Sequence, residues 1–426
     1  MPIPVLIASP AHLSALPPLP VPPTTLLTHV RLPGYDQLMC LWVDPQERVR
    51  SIQPMAQAFK QPPPEQLRVI NLKGDWLSLG GIDLQINGAL GVPFPLLGSP
   101  QKGPQDSQKA LLQICRFLWH QGVDGFLPTI VTSALGEMQG ALQAIQAYMA
   151  QPTPAQTARI LGVHLEGPCL NPEKRGAHPQ KHLQPLTVPF LAELLGDWGN
   201  IVKVMTLAPE LDPTGEAIAY LRERGIAVSL GHSQATEAQA QKAFSQGATM
   251  VTHAFNAMPS LHHREAGLLG AALVNADVFC GVIADGRHVG VTMLNLLLRA
   301  GHYSKQLFLV SDALAPLGLP DGTYPWDDRQ VTVKEGTAQL EDGTLAGTTL
   351  SLLAGVQNLV RWRICSVDEA IAMATTTPRR ALSCLEELER RDRIYVGRSI
   401  ENLVRWHLDR DSSELSWQRF SLNSIA

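Results

Sequence analysis

Apolar and polar positions change rhythm twice along this chain. Over residues 24–77, short alternating runs at 26–32, 37–43 and 67–72 are separated by Pro, Gly and Asp clusters, which predicts short β-strands in a small β element. From residue 79 onward, compact apolar runs alternate with longer amphipathic stretches. The runs at 82–86, 125–127, 160–165, 202–207, 227–230, 250–252, 279–283 and 307–310 predict about eight buried strands. Between them, 107–119, 134–149, 215–224, 235–246 and 292–298 carry apolar residues at three- and four-residue spacing, as helices with one buried face do. Repeated β-α units of this length predict a parallel sheet, and eight of them a closed (β/α)8 barrel. A doubly wound sheet would carry a Gly-rich phosphate turn after its first strand, but Gly88, Gly91 and Gly98 do not form GxGxxG.

Beyond Pro325 the rhythm breaks again. Runs at 331–333, 338–340 and 344–345, with Glu341-Asp342-Gly343 as a turn, predict a small β insertion. Gly347-Thr348 then leads into a helix over 349–360, followed by helices over 367–375 and 378–388. Residues 393–417 return to short strands that can pair with the N-terminal ones, which makes the second domain discontinuous. The expected layout is an irregular Pro-rich arm over 1–23, a β domain from 24–78 and 390–426, and the barrel over 79–389.

Composition narrows the function classes. With 426 residues, 45% hydrophobic and 17% charged, the chain can bury a large core. A net charge of −4 gives no electrostatic footprint for nucleic acid or membrane, so an anionic ligand has to be held by a few local cations. A small-molecule partner is the reading that remains. The six cysteines are far apart with no CxxC spacing, which suggests neither a cysteine zinc site nor a disulfide framework, and points to reduced thiols in a cytoplasm. The N-terminal stretch lacks a basic region followed by an uninterrupted apolar core, so it does not resemble a signal peptide, and no window is long and apolar enough to span a bilayer.

In a barrel the strand C-termini converge on one face, so polar residues just past each strand are the ones that can meet. Those positions hold Gln85 and Asn87 after the first strand, Glu166 after the third, His232 after the fifth, His253 after the sixth, His288 after the seventh and Asp312 after the eighth. Taken singly, each has an ordinary structural reading: a strand-end glutamate paired with a cation, a histidine hydrogen-bonding the rim, an aspartate capping a helix. Together, Glu166, His232 and His253 make a three-ligand set for a divalent metal with a position left open, as a catalytic site requires. Asp312, delivered by the apolar run before it, is then placed to move a proton between water and a leaving group.

The residues that carry this chemistry also carry a family likeness. Gly81-Ile82-Asp83-Leu84-Gln85-Ile86-Asn87-Gly88, His164-Leu165-Glu166-Gly167-Pro168, Gly176-Ala177-His178, Gly231-His232-Ser233, His253-Ala254-Phe255-Asn256-Ala257-Met258, Ala284-Asp285-Gly286-Arg287-His288 and Ser311-Asp312-Ala313 resemble, in order, the motifs of the N-acetylglucosamine-6-phosphate deacetylase family in the amidohydrolase superfamily. The likeness extends through Gly318-Leu319-Pro320-Asp321-Gly322 and Leu345-Ala346-Gly347-Thr348. It implies a metal-dependent barrel with a β-sandwich domain built from both chain ends. The implied reaction is hydrolysis of the acetamide of N-acetylglucosamine 6-phosphate to glucosamine 6-phosphate and acetate.

By matching position, the resemblance implies Glu166, His232 and His253 as metal ligands and Asp312 as general base and acid. His178 matches the residue that polarises the acetamide carbonyl, and Ala177, Asn256, Ala257, Arg264, His288, Leu345, Ala346, Gly347 and Thr348 match substrate-binding positions. The arginine matching Arg264 reaches the phosphate from the neighbouring subunit, which implies a homodimer; read from its own residues, His262-His263-Arg264-Glu265 is either a phosphate grip or a solvated charged loop. Gln85-x-Asn87 stands where many superfamily members carry His-x-His, and two neutral amides are poor ligands, so one divalent ion is expected: Zn²⁺, with Fe²⁺, Mn²⁺ or Co²⁺ also suited to the donor set. His164 shares a strand face with Glu166 and is expected beside the ligands rather than among them.

Two stretches depart from the family pattern: Leu79-Gly80-Gly81 replaces a proline-glycine pair, and 396–403 replaces a glycine-lysine-x-alanine-aspartate-leucine run. Both fall away from the rim. The competing readings are an amidohydrolase for N-acetylgalactosamine 6-phosphate or an N-acyl amino acid, and a barrel kept as a non-catalytic binding module.

Overall fold

The computed structural model describes residues 24–58, 67–99, 103–382, 394–409 and 411–422, so the Pro-rich arm lies outside the described residues. The central sheet is parallel and follows the expected strands: β1 (Gly81–Ile86), β2 (Val123–Val131), β3 (Val163–Glu166), β4 (Val202–Leu207), β5 (Ala227–Leu230), β6 (Ala248–Val251), β7 (Phe279–Val282) and β8 (Leu307–Leu309). Each pairs in parallel with the next around the sheet. Closure comes at the rim, where the chain leaving β8 runs beside the end of β1. Asp312 N donates to Gln85 O (2.9 Å), Asn87 N donates to Ala313 O (2.7 Å), and Ile86 and Ala313 form a parallel bridge.

The apolar run at 160–165 does not form one strand. Arg159–Ile160 and Val163–Glu166 both pair with β2, but Gly162, at φ 146°, breaks the ladder between them, a conformation that glycine adopts without strain. Ile82, Leu84, Leu127, Val204, Met250, Ile283, Phe308 and Val310 fill the barrel interior. A second core lies between the strands and the surrounding helices, among them Pro104–His120, Leu135–Met149, Glu216–Glu223, Glu237–Ser245 and Val291–Ala300. Two shorter helices, Val188–Leu195 and Gly267–Leu273, belong to the same ring where the apolar spacing is too brief to show a period.

The inserted sheet has four antiparallel strands, Gly322–Trp326, Arg329–Lys334, Thr337–Leu340 and Leu345–Thr348. Its first strand alternates half-buried with exposed residues and has too weak an apolar pattern to be seen in the sequence. Leu345–Thr348 is a strand, and the helix expected from residue 349 starts later, as Leu352–Arg361. The helix expected over 378–388 is described as Thr376–Ala381, its remainder lying outside the described residues. At the other end of the barrel, Thr25–Val30, Met39–Val43, Val49–Pro54 and Arg68–Asn71 form one sheet, and Trp76–Leu79, Leu403–Leu408 and Leu415–Arg419 form another, so both chain ends contribute strands. The two sheets share an apolar core that includes Leu27, Leu41, Leu77, Tyr395 and Leu403. Among the described residues no helix is long and apolar enough to cross a membrane.

One carboxylate fastens this β layer to the barrel. Asp124, at the start of β2, accepts from Arg419 Nη1 (2.8 Å), Arg379 Nη2 (3.2 Å) and Gly80 N (2.8 Å), with all three charged side chains largely buried. A Cβ at Gly80 would stand 2.1 Å from Asp124 Oδ1, so only glycine admits this approach. Asp124→Ala is expected to cost about 2–4 kcal/mol of stability, because it removes a carboxylate that accepts from two largely buried guanidiniums and a backbone N–H. Urea unfolding of the two proteins side by side measures it.

Candidate active site

Side chains from the strand ends and the loops after them line a cavity of about 780 Å³, among them Asn87, Thr132, Glu166, Ala177, His178, His232, His253, Asn256, Ala257, His288, Asp312, Leu345 and Ala346. Glu166 ends β3 with its side chain buried at the rim. His232 Nε2 and His253 Nε2 lie 3.2 and 3.0 Å from Glu166 Oε1 and 3.0 Å from each other. These separations are close to the roughly 3.3 Å edge of a tetrahedron with metal–ligand bonds of about 2.0–2.1 Å. One carboxylate and two imidazoles at such separations fit a divalent cation.

Backbone geometry aims the ligands. His232, His253 and Asp312 all have left-handed φ values, of 48°, 29° and 47°, an uncommon state for non-glycine residues. Each sits two or three positions past its strand, where the turn redirects the side chain over the barrel mouth. Strained backbone at three converging rim residues is the pattern expected where structure serves function.

The amides at the end of β1 and just past it have a specific task. Gln85 Nε2 donates to Glu166 Oε1 (3.0 Å) and Asp312 Oδ1 (3.2 Å), while Asn87 Nδ2 donates to Asp312 Oδ1 (2.8 Å). They orient both carboxylates, which two imidazoles serving as ligands in their place would not do. Burial, and then the charge of Glu166, pushes the Asp312 carboxyl up to about 7. Burial alone would also raise Glu166, but hydrogen bonds from His232 and His253, with the charge on His253, hold it well below the usual carboxylate range.

His178 lies across the cavity, its ring edge-on to His232 at 4.5 Å between centroids, with Nδ1 2.8 Å from Thr132 Oγ1. Burial, and then the charge of His232, pushes its imidazole down to about 3, so the ring is neutral and carries a single N–H. His288 is held through Nδ1 by Asp285 Oδ2 at 2.7 Å. His164 donates from Nδ1 to Leu84 O (3.0 Å) and accepts at Nε2 from Thr206 (2.7 Å); burial pushes it down to about 4, and it stands behind the cluster as expected.

Not every candidate meets the cavity. Leu345 and Ala346 line it, whereas Gly347 and Thr348 brace the base: Thr348 N donates to Asp312 O (3.0 Å) and its Oγ1 to Ser311 O (2.8 Å). A Cβ at Gly347 would stand 2.7 Å from Asp312 O, which requires glycine there. Arg264 lies outside the cavity on an exposed loop, with Nη1 2.7 Å from His263 Nε2. Sequence reasoning missed Thr132 and Arg329, whose Nη2 donates to Ala177 O (2.6 Å). Thr132 follows β2, and reading every rim position rather than only the chemically conspicuous ones would have found it.

No protein-family model matches the chain. The bovine N-acetylglucosamine-6-phosphate deacetylase is 37% identical over 316 residues, covering 72% of this chain and 74% of its own length. The N-acetylgalactosamine-6-phosphate deacetylase of Escherichia coli O157:H7 is 34% identical over 301 residues, covering 71% of this chain and 76% of its own. Among solved structures, the N-acetylglucosamine-6-phosphate deacetylase of Pasteurella multocida superposes with a TM-score of 0.76 at 28% identity, over 93% of this chain and all of that one. With the barrel, the small β domain and a buried Glu-His-His cluster at the mouth, this chain belongs to the N-acetylglucosamine-6-phosphate deacetylase family of metal-dependent amidohydrolases.

Proposed function

We propose that the protein hydrolyses the acetamide of N-acetylglucosamine 6-phosphate to glucosamine 6-phosphate and acetate, as a cytoplasmic homodimer in amino-sugar metabolism. The observation that carries this reading is the convergence of Glu166, His232 and His253 beside Asp312 in one cavity large enough for a hexose phosphate. The family relatives at 34–37% identity support the substrate class. Glu166, His232 and His253 hold one divalent metal, Zn²⁺ being well matched to two imidazoles and a carboxylate. Bound there, the metal supplies Lewis-acid polarisation and lowers the pKa of water towards neutrality.

The protein's own groups do the rest. Asp312, steadied by Gln85 and Asn87, takes a proton from the attacking water and delivers it to the departing amine. His178, neutral and fixed at Nδ1 by Thr132, offers its ring to the developing oxyanion of the acetamide. Ala177, Asn256, Ala257, His288, Leu345 and Ala346 shape the sugar site, and Gly347 and Thr348 contribute by holding the loop and the Asp312 backbone. The arm over 1–23, the β domain over 24–78 and 390–426, and the barrel over 79–389 form the proposed domain layout.

In this reading, Arg264 serves the partner's cavity, since its own chain's cavity does not include it. A guanidinium–phosphate contact is worth about 1.5–3 kcal/mol, so Arg264→Ala is expected to lower kcat/KM for N-acetylglucosamine 6-phosphate about 10- to 150-fold and leave the slow turnover of unphosphorylated N-acetylglucosamine unchanged. A panel of both compounds and N-acetylgalactosamine 6-phosphate, assayed for acetate release on metal-loaded protein, tests the whole assignment. Absence of acetate from every phosphorylated sugar rules out the function, and an equal loss on both substrate types rules out phosphate reading by Arg264.

A further inference from the structure

The segment that carries His178 has an unusual anchorage. Its carbonyls are held by guanidiniums: Arg175 Nη1 donates to Gly176 O (3.3 Å) and His178 O (2.9 Å), and Arg329 Nη2 donates to Ala177 O (2.6 Å). Arg175 belongs to the same loop and moves with it. Arg329 lies 152 residues away, at the start of a strand of the inserted sheet, and so ties the loop to a separate part of the scaffold. It is itself fixed by Asp327, with Nε 3.0 Å from Oδ1 and Nη2 2.6 Å from Oδ2. A second contact at the same point is apolar, since Ala177 is buried in a cluster with Leu314, Val331, Val333, Ala338 and Leu340.

We propose that Arg329 is a positioning residue for the hydrolysis, fixing the His178 imidazole relative to the Glu166-His232-His253 cluster through its hydrogen bond to the Ala177 carbonyl. The proposal rests on the assignment of His178 as the group that polarises the acetamide. A planar guanidinium can hold both oxygens of Asp327 and still direct an N–H at the carbonyl, whereas an ammonium is a point donor without that fixed fork. The Asp327–Arg329 pair would be satisfied by water and its own turn. A second polar tie between hairpin and loop, Lys181 Nζ to Asp328 Oδ2 (2.7 Å), is solvent-exposed and three residues beyond His178, so the contact with Ala177 is the one that acts directly beside the imidazole. Without it, Ala177 keeps its apolar packing but the next residue gains freedom. Displacement of about 1 Å at a group that must meet an oxyanion is enough to slow turnover by up to about 10²-fold.

Steady-state kinetics on metal-loaded Arg329→Ala, Arg329→Lys, His178→Gln and the double variant Arg329→Ala/His178→Gln test this, with metal content and melting temperature measured on each. Arg329→Ala is expected to lower kcat about 10- to 100-fold, to change KM less than about 3-fold and to leave metal stoichiometry intact; Arg329→Lys falls between it and the wild type. Millimolar guanidinium, well below denaturing levels, is expected to restore part of the Arg329→Ala rate. In the His178→Gln background, removal of Arg329 is expected to cost less than about 2-fold, because the residue acts through one that is already gone. An equal loss in both backgrounds, or a change in KM alone, overturns the role of Arg329 and leaves the function intact. Normal turnover by His178→Gln overturns the assignment of His178 and the proposal with it. Asp327→Asn keeps the guanidinium and loosens its hold, and is expected to show the same kcat pattern at smaller size; wild-type kinetics there count against the clamp.

Discussion

Asp312→Asn is expected to lower kcat about 10²- to 10⁴-fold while the protein still binds its metal and melts near the wild-type temperature. The substitution keeps the volume and the hydrogen-bonding shape of the side chain. One face still accepts from Asn87 and Gln85, and the Asp312 carbonyl still accepts from Thr348 N, so the rim stays closed. What is lost is a group that can take up and release a proton. Asp312 is not among the three clustered donors, so metal content is expected to remain close to wild type. The pH profile provides a second measure. Catalysis as a base needs the ionised form, so kcat/KM falls as pH drops through the pKa of Asp312. Burial and the charge of Glu166 raise that value to about 7, and a dication held by Glu166 counters the second cause, which places the acid limb below about 7. Asp312→Asn is expected to abolish that limb. Retention of near-normal kcat, or of the limb, excludes Asp312 as the proton carrier.

The fold was legible because buried parallel strands and amphipathic helices write strong periodic patterns. Eight runs predicted eight strands; His232, His253 and Asp312 fall just past the strands expected to carry them, and Glu166, expected just past its strand, is that strand's last residue. Elements with weak patterns escaped: Gly322–Trp326 alternates half-buried with exposed residues, and Val49–Pro54 is half-buried along most of its length. The helix after Leu345–Thr348 was placed too early because a strand of the inserted sheet has to close before the helix begins at Leu352. Within the site, residue types were readable but their aim was not. Nothing in Gly231-His232 or Val310-Ser311-Asp312 announces a left-handed backbone at a non-glycine position. Contacts such as Arg329 to Ala177, or Gln85 to both carboxylates, span 152, 81 and 227 residues and exist only once the barrel has closed.

Glu166→Gln is expected to empty the metal site, with turnover falling at least as far as in Asp312→Asn. The amide matches the carboxylate in shape, so Gln85 and the β3–β4 ladder keep their partners, yet the donor set loses its only formal negative charge. Two neutral imidazoles and an amide oxygen compete poorly with water for a hard or borderline dication. The carboxylate is also the point on which the donors converge, since His232 Nε2 and His253 Nε2 stand 3.0 Å apart and both face Glu166 Oε1. Elemental analysis after dialysis is expected to give about one metal per wild-type chain and close to none for the variant. Thermal unfolding supplies a readout independent of activity. Metal at 100 times its dissociation constant stabilises the wild type by about 2.7 kcal/mol, and the melting temperature rises accordingly, whereas the variant shows no such rise. A Glu166→Gln protein that keeps one tightly held metal would place the ion elsewhere, and the assignment of Asp312 and His178 around this cluster would fall with it.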